Sequence, residues 1–219
     1  MSESKFSMDE AIRFGWQTTK ENIGFFVGIL ILVGIVNAIP NYWIEIFKEQ
    51  EAFFMAFIMI VAASCLSAIV QMGVINISLK FCDNEKAEFS DLFSNIHLFL
   101  NFIAGSALYG LIVFAGFLLL IVPGVIFAIK FQFFSYLIID KGLGPIEAIK
   151  ESGRITDGAK MDLLFFNLVL GCINLMGLLC LFVGLFASIP TTMLAAAFVY
   201  RVLLTRSSSF QEPQVIQAA

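Results

Sequence analysis

Polar and cationic residues inside long apolar runs are the residues of this sequence best suited to chemistry. Lys130 comes first, because it follows Pro123 by seven residues and so lies about 10 Å along a helix that begins at that proline. An ionised lysine in the middle of a hydrocarbon layer costs ~3 kcal/mol, and ionisable groups at that depth mark candidate sites. We predict an intramembrane polar site formed by Lys130, Gln132, Gln71, Asn174 and Arg201.

Two interpretations of Lys130 stay open at this point. Its ammonium group either extends along its apolar stem to the headgroups, or faces a wet cavity where it binds a ligand or a lipid phosphate. The first interpretation is purely structural, whereas the second makes the residue part of a binding or transport site.

The apolar runs contain no deep carboxylate, and the one histidine, His97, belongs to a more polar stretch. Proton-coupled transporters usually bury an acidic residue, an intramembrane aspartyl protease needs two, and a serine–histidine pair needs a histidine at depth. The sequence therefore predicts a protein that is not an enzyme. A lipid-modifying enzyme is the least favoured alternative.

A second group of residues could act at the membrane surface. These residues are basic or aromatic and lie in short amphipathic stretches, where each basic residue near anionic lipid is worth ~1 kcal/mol. The alternative is that the charges only fix the orientation of the loops. The predicted contacts to lipid or to a partner protein are Arg13, Trp16, Lys20, Lys150, Arg154 and Lys160.

Metal, cofactor and nucleic-acid binding are not expected. The four cysteines are not in a CxxC pair and only one histidine is present, so a zinc site is disfavoured. No cofactor is predicted. The net charge of −4 and the lack of a basic tract exclude a nucleic-acid partner.

The elements that must position these residues are membrane-spanning helices. Of the 219 residues, 59% are hydrophobic and 14% are charged, and the mean hydropathy is +0.92. A helix needs about 20 mostly apolar residues to cross a bilayer. This predicts an all-α polytopic transmembrane bundle with spans at about 23–46, 52–79, 98–122, 123–139, 161–188 and 190–204, and a disordered tail at 207–219.

Two of these spans begin at a proline, Pro123 and Pro190. Proline in the first turn of a helix loses no hydrogen bond, so both positions favour a tight turn between antiparallel spans. The alternative is one bent helix at each proline, which would lower the number of spans.

Basic residues are distributed unequally between the two sides of the predicted membrane. With six spans, nearly all lysines and arginines near the span ends fall on the side that holds both termini, and Lys48 lies opposite. This asymmetry predicts cytoplasmic termini. The polar start of the chain, up to about residue 20, lacks the apolar core of a signal peptide.

The sequence also indicates a threefold internal repeat. A short amphipathic stretch precedes each pair of spans, at residues 8–19, 89–100 and 145–156. The first and third stretches match in letters, since Glu10-Ala11-Ile12-Arg13 aligns with Glu147-Ala148-Ile149-Lys150 and Thr19 with Thr156. We therefore expect three hairpins, each preceded by a short amphipathic helix on the cytoplasmic face.

The chain resembles a group of uncharacterised six-span prokaryotic membrane proteins related to the membrane domain fused to some glycerophosphodiester phosphodiesterases. The matching segments are Ile121–Gly124, Gly144–Ser152, Thr156–Gly158 and Phe198–Arg201. The resemblance covers roughly residues 5–206 and implies a six-span fold in the inner membrane. It does not imply the phosphodiesterase activity, which belongs to a catalytic domain that this chain lacks.

These observations lead to one preferred function and one main alternative. The preferred function is a non-enzymatic membrane protein that binds membrane lipids or a partner protein through cytoplasmic interfacial helices. The alternative is a small-molecule or ion transporter, or a channel, with a polar site around Lys130.

Overall fold

The computed structural model describes residues 5–49, 52–180 and 183–209. In these residues the chain forms nine α-helices and two short 3-10 segments, at Phe89–Phe93 and Ile96–Leu98. The helices are α1 Met8–Glu21, α2 Ile23–Glu49, α3 Phe53–Cys82, α4 Phe99–Leu119, α5 Ile121–Phe131, α6 Phe134–Lys141, α7 Pro145–Ile155, α8 Lys160–Leu179 and α9 Leu185–Ser209.

Within the described residues, six helical segments are long and apolar enough to cross a membrane, which confirms the all-α polytopic bundle and makes the chain an integral membrane protein. A helix suits this role because it pairs its own backbone groups where water is missing. The segments are Ile23–Phe47, Phe53–Cys82, Phe89–Leu119, Ile121–Lys141, Lys160–Leu179 and Leu185–Ser207.

The two prolines behave differently. Leu120 alone separates α4 from α5 in an extended conformation, and Pro123 lies in the first turn of α5, so this junction is a turn. Pro190 instead lies inside α9, which begins at Leu185. The predicted boundaries at residues 188 and 190 therefore differ from the structure. The reason is the close approach of Gly177 and Gly184, where a Cβ on Gly184 would lie 2.6 Å from the Gly177 carbonyl oxygen.

The C-terminal helix is also longer than the sequence predicts. It continues to Ser209, so residues 207–209 are helical and do not belong to a disordered tail. The remainder of that predicted tail, residues 210–219, lies outside the described residues.

The three repeat units pack in a cycle. Each unit begins with a short element, followed by a first and a second span. The short element contacts the second span of the preceding unit: α1 packs along α9, the segment Phe89–Phe93 packs on α3, and α7 packs on α5 and α6. The hairpins α2–α3, α4–α5 and α8–α9 complete the ring.

Glycines allow the short elements and the second spans to pack closely. A Cβ on Gly15 of α1 would lie 2.3 Å from the Thr191 carbonyl oxygen, and one on Gly73 of α3 would lie 2.2 Å from the Leu92 carbonyl oxygen. The backbones therefore touch at both places. By contrast, nothing lies within 4 Å of a Cβ on Gly24.

The second short element differs from the other two. The predicted amphipathic stretch at 89–100 forms two 3-10 segments instead of an α-helix. Asp91 organises the first segment, because its carboxylate accepts a hydrogen bond from the Glu88 N–H at 2.7 Å and contacts Lys80 Nζ at 2.6 Å. Leu92 is thereby held in the core.

Candidate functional site

An ion cluster joins the ends of the three second spans. Arg201 of α9 contacts Asp140 of α6 at 2.8 Å and Asp83, which caps α3, at 2.5 Å. The Tyr200 hydroxyl donates to the other Asp140 oxygen at 2.9 Å, and Lys141 Nζ lies 3.4 Å from the same carboxylate. Two cations thus meet two carboxylates, and the contacts of Arg201 link α9 to α6 and to the end of α3.

Three of the four charged residues, Asp83, Asp140 and Arg201, occupy equivalent repeat positions. In each second span, one residue contacts the short element of the next unit, and the charged residue lies ten positions later. The pairs are Gly73 and Asp83, Lys130 and Asp140, and Thr191 and Arg201. The cycle of short elements and the ion cluster therefore follow the same repeat, in which the third unit supplies Arg201 at this position and the first two units supply carboxylates.

The fourth span is broken where α7 packs against it. Residues 132 and 133 separate α5 from α6. Ser152 Oγ accepts a hydrogen bond from the Phe133 N–H at 3.1 Å and donates to the Lys130 carbonyl oxygen at 3.2 Å. Thr156 Oγ1 donates to the same oxygen at 2.8 Å. The backbone groups released by the break thus find partners on α7, as they must in a site without water.

The same repeat position is used by α1. Thr191 Oγ1 lies 3.3 Å from Thr19 Oγ1, and the Thr191 carbonyl oxygen faces Gly15. Gly15 and Thr19 correspond to Ser152 and Thr156 in the aligned stretches. The sequence identity between the first and third stretches therefore reflects a shared packing role.

The five residues predicted to form one intramembrane site do not come together. Arg201 is in the ion cluster, Gln132 accepts a hydrogen bond from Asn167 at 2.9 Å, and Asn174 donates to Thr192 at 3.2 Å. Gln71 lies in a separate groove. The hydrogen bonds of Gln132, Asn174 and Arg201 thus involve different helix pairs, and a single polar site around Lys130 stays a prediction.

Lys130 lies against α7. Its ammonium nitrogen is 5.4 Å from the Phe131 ring centroid, and its stem passes Gly153, where a Cβ would lie 3.1 Å from Lys130 Cε. A hydrogen bond from Lys160 lowers the pKa of the Asp157 carboxyl, and the charge of Lys130 contributes to this shift. These positions favour the structural interpretation, in which the side chain extends along α7.

The predicted surface residues of α1 share one exposed face. Arg13, Trp16 and Lys20 are exposed, and Trp16 retains 54% of its surface. Their spacing of three and four residues places them on one side of the helix, whereas Ala11, Gly15 and Thr19 are buried on the other. Asp9, in the first turn, lies on the exposed face as well. The buried face packs on α9, so the cations and the indole face outwards.

The predicted surface residues around α7 divide into two groups. Arg154 pairs with Glu151 at 2.5 Å, as its spacing predicts, and Lys160 pairs with Asp157 at 3.2 Å. Lys150 is exposed. Because two of the three cations face neighbouring carboxylates, this region offers less free positive charge than the sequence indicates.

A lateral groove of about 900 Å³ lies between α2 and α3, with α4 and α9 contributing to its walls. Its lining is mainly aliphatic, with a row of amides and hydroxyls along one side. The polar lining residues are Asn37, Asn41, Ser64, Ser67, Gln71 and Ser106.

The groove and both acidic partners of Arg201 were not predicted from the sequence. The spacing of Asn37 and Asn41, and of Ser64, Ser67 and Gln71, places each set on one helical face, and this was the available signal. Asp83 and Asp140 lie just at the ends of apolar runs, where acidic residues resemble ordinary loop residues.

The chain is similar to uncharacterised mycobacterial proteins. It is 23% identical to one from Mycobacterium bovis (strain ATCC BAA-935 / AF2122/97), 23% to one from Mycobacterium tuberculosis (strain CDC 1551 / Oshkosh) and 22% to one from strain ATCC 25618 / H37Rv. Each alignment covers 93% of this chain and 70% of the relative. No family model and no solved structure matches the chain. The resemblance to the phosphodiesterase-linked membrane domain stays a prediction.

Proposed function

We propose that this protein is a non-enzymatic multipass membrane protein that binds anionic membrane lipids through the exposed face of α1. The observation that supports this most directly is the division of α1 into two faces. Its small residues are buried against α9, while Arg13, Trp16 and Lys20 remain exposed. A tryptophan between two cations suits the headgroup region of a bilayer, where the ring meets the acyl boundary and the cations meet phosphate.

We further propose an inner-membrane location with both termini in the cytoplasm. The distribution of lysines and arginines supports this orientation, and the mycobacterial relatives support a prokaryotic source. In this orientation the exposed face of α1 meets the cytoplasmic leaflet, which is rich in anionic lipid. Lys150 of α7 is a third exposed cation, which this orientation also places on the cytoplasmic side.

Native mass spectrometry of the purified protein with equal amounts of phosphatidylglycerol and phosphatidylcholine tests the proposal. We expect the wild type to retain more phosphatidylglycerol, and the double variant Arg13→Gln/Lys20→Gln to lose about thirtyfold in affinity, from ~1 kcal/mol for each of the two cations. Lys86→Gln, which removes an exposed loop lysine, is the control. Equal retention of the two lipids by the wild type would refute the proposal, and a protein that co-purifies through α1 would indicate a partner instead.

A small-molecule transporter is the second candidate, and the lateral groove is the observation that favours it. In this case uptake into liposomes would depend on residues of α2 and α3. Lys130, which lies against α7, would be replaceable by alanine without loss of uptake.

A further inference from the structure

The lateral groove opens towards the lipid. Both helices that form most of it, α2 and α3, are apolar membrane spans, and its walls include the exposed residues Ile60 and Ile103. Its volume of about 900 Å³ is within the range of sites that enclose most of a small ligand. The surrounding medium therefore offers lipid as the occupant.

The polar side of the groove is held in place by hydrogen bonds. Asn37 Nδ2 donates to the Val33 carbonyl oxygen at 2.7 Å, and Asn37 Oδ1 accepts from Ser67 Oγ at 2.8 Å. Asn41 donates to the Asn37 carbonyl oxygen at 2.8 Å. The Ser67–Asn37 contact bridges α3 and α2, and the other two lie within α2. Together they hold a row of neutral polar groups that line the groove.

Gln71 extends this row of polar groups, and its amide indicates a ligand site. Its side chain is exposed in the groove, eleven residues before the end of α3, or about 16 Å along the helix. Among the described residues its amide has no hydrogen-bond partner. An amide at this depth without a partner is costly in hydrocarbon, so a hydrogen-bonding ligand group is favoured there.

The groove does not suit a charged headgroup. Within the described part of the chain, its lining contains no lysine, arginine, histidine or carboxylate. A phosphate would lose its hydration without gaining a counter-charge, whereas a hydroxyl or an ester could exchange water for the amides and serines. The uncharged but partly polar lining of the groove therefore favours a neutral amphiphile.

We infer that this groove binds an uncharged lipid whose polar end carries hydroxyl or ester groups, with its acyl chain along the aliphatic walls and its polar end at Gln71. The site is separate from the exposed face of α1, where anionic lipid is proposed to bind. Either proposal can therefore fail while the other holds.

Photolabelling in phosphatidylcholine liposomes tests this inference. The probe is a diacylglycerol with a diazirine in one acyl chain, and the comparison probe is phosphatidylglycerol with the same chain. We expect the diacylglycerol probe to label α3 around Ala63 and Gln71, and excess unlabelled diacylglycerol to reduce this labelling. Labelling that is equal for the two probes and insensitive to the competitor would overturn the inference, because it would reflect ordinary surrounding lipid.

Three variants locate the site. Ala63→Phe fills the groove, Gln71→Leu removes the amide at similar volume, and Ala115→Phe adds the same ring on an exposed face of α4 outside the groove lining. We expect labelling to fall by about tenfold or more in the first two, which corresponds to ~1.4 kcal/mol, and to stay unchanged in the third. Melting curves identify any variant that misfolds, and retained labelling in folded Ala63→Phe and Gln71→Leu would also refute the site.

Discussion

Arg201 and Asp140 lie 2.8 Å apart although 61 residues separate them in the chain, and they close an ion cluster between the last span and the fourth. Asp83 on the second span shares the same guanidinium. The Tyr200 hydroxyl also donates to Asp140, so polar contacts link the three helices at one level. The cluster's position ten residues beyond each contact with a short element makes it part of the repeat.

Replacing Arg201 with leucine is expected to destabilise the protein by ~2–4 kcal/mol, since two carboxylates lose their shared counter-charge. Unfolding in detergent micelles, followed by circular dichroism, measures the change. Arg154→Leu breaks an exposed pair within α7 and is expected to cost less than ~1 kcal/mol. If both variants lose the same free energy of unfolding, the cluster has no special structural importance.

The cluster also predicts a specific rescue. Adding Asp83→Asn and Asp140→Asn to Arg201→Leu removes the uncompensated carboxylates and is expected to recover part of the lost stability. A double-mutant cycle separates this coupling from the effects of the single changes. Simple additivity of the three changes would contradict the contacts described here.

The break between α5 and α6 depends on Ser152. Ser152→Ala leaves the Phe133 N–H without its partner and is expected to cost ~1–3 kcal/mol. Ser90→Ala removes a hydroxyl that contacts only the exposed Glu88 and is the matched control. Hydrogen exchange at Phe133 should accelerate in the first variant and stay unchanged in the second. An unchanged rate in both would show that α7 does not secure the break.

Gly15 sets the distance between α1 and α9. Gly15→Ala places a methyl group against the Thr191 carbonyl oxygen, so the helices must separate, at a cost of ~1–3 kcal/mol. Gly24→Ala meets open space and is expected to stabilise α2 by ~0.5–1 kcal/mol. Melting temperatures of the two variants should therefore move in opposite directions. A rise in both would mean that α1 is not anchored on α9.

Topology can be checked with reporters. Alkaline phosphatase fused after Ala219 is expected to be inactive and green fluorescent protein at the same position fluorescent, because six spans return the chain to the cytoplasm. A fusion after Phe47, beyond one span, should give the opposite pair of results. Phosphatase activity at both positions would remove the basis of the proposed orientation.

The local composition of the sequence determined the six apolar helices and their hairpin order, because a bilayer requires a continuous run of apolar residues in each span. The sequence also indicated the repeat, since Glu10-Ala11-Ile12 and Glu147-Ala148-Ile149 meet the same packing demand. Glu151 and Arg154, three residues apart on α7, form an ion pair at 2.5 Å, which is a contact that local helical spacing permits.

Only the tertiary structure decided which polar residues meet. Gln132, Asn174 and Arg201 were grouped by their apolar surroundings, yet the side chain of each has its partner on a different helix, at a sequence distance that no local pattern encodes. The helix start before Pro190 follows from the contact of two glycines across a turn. Local composition sets which segments enter the membrane, whereas long-range packing sets which side chains become neighbours.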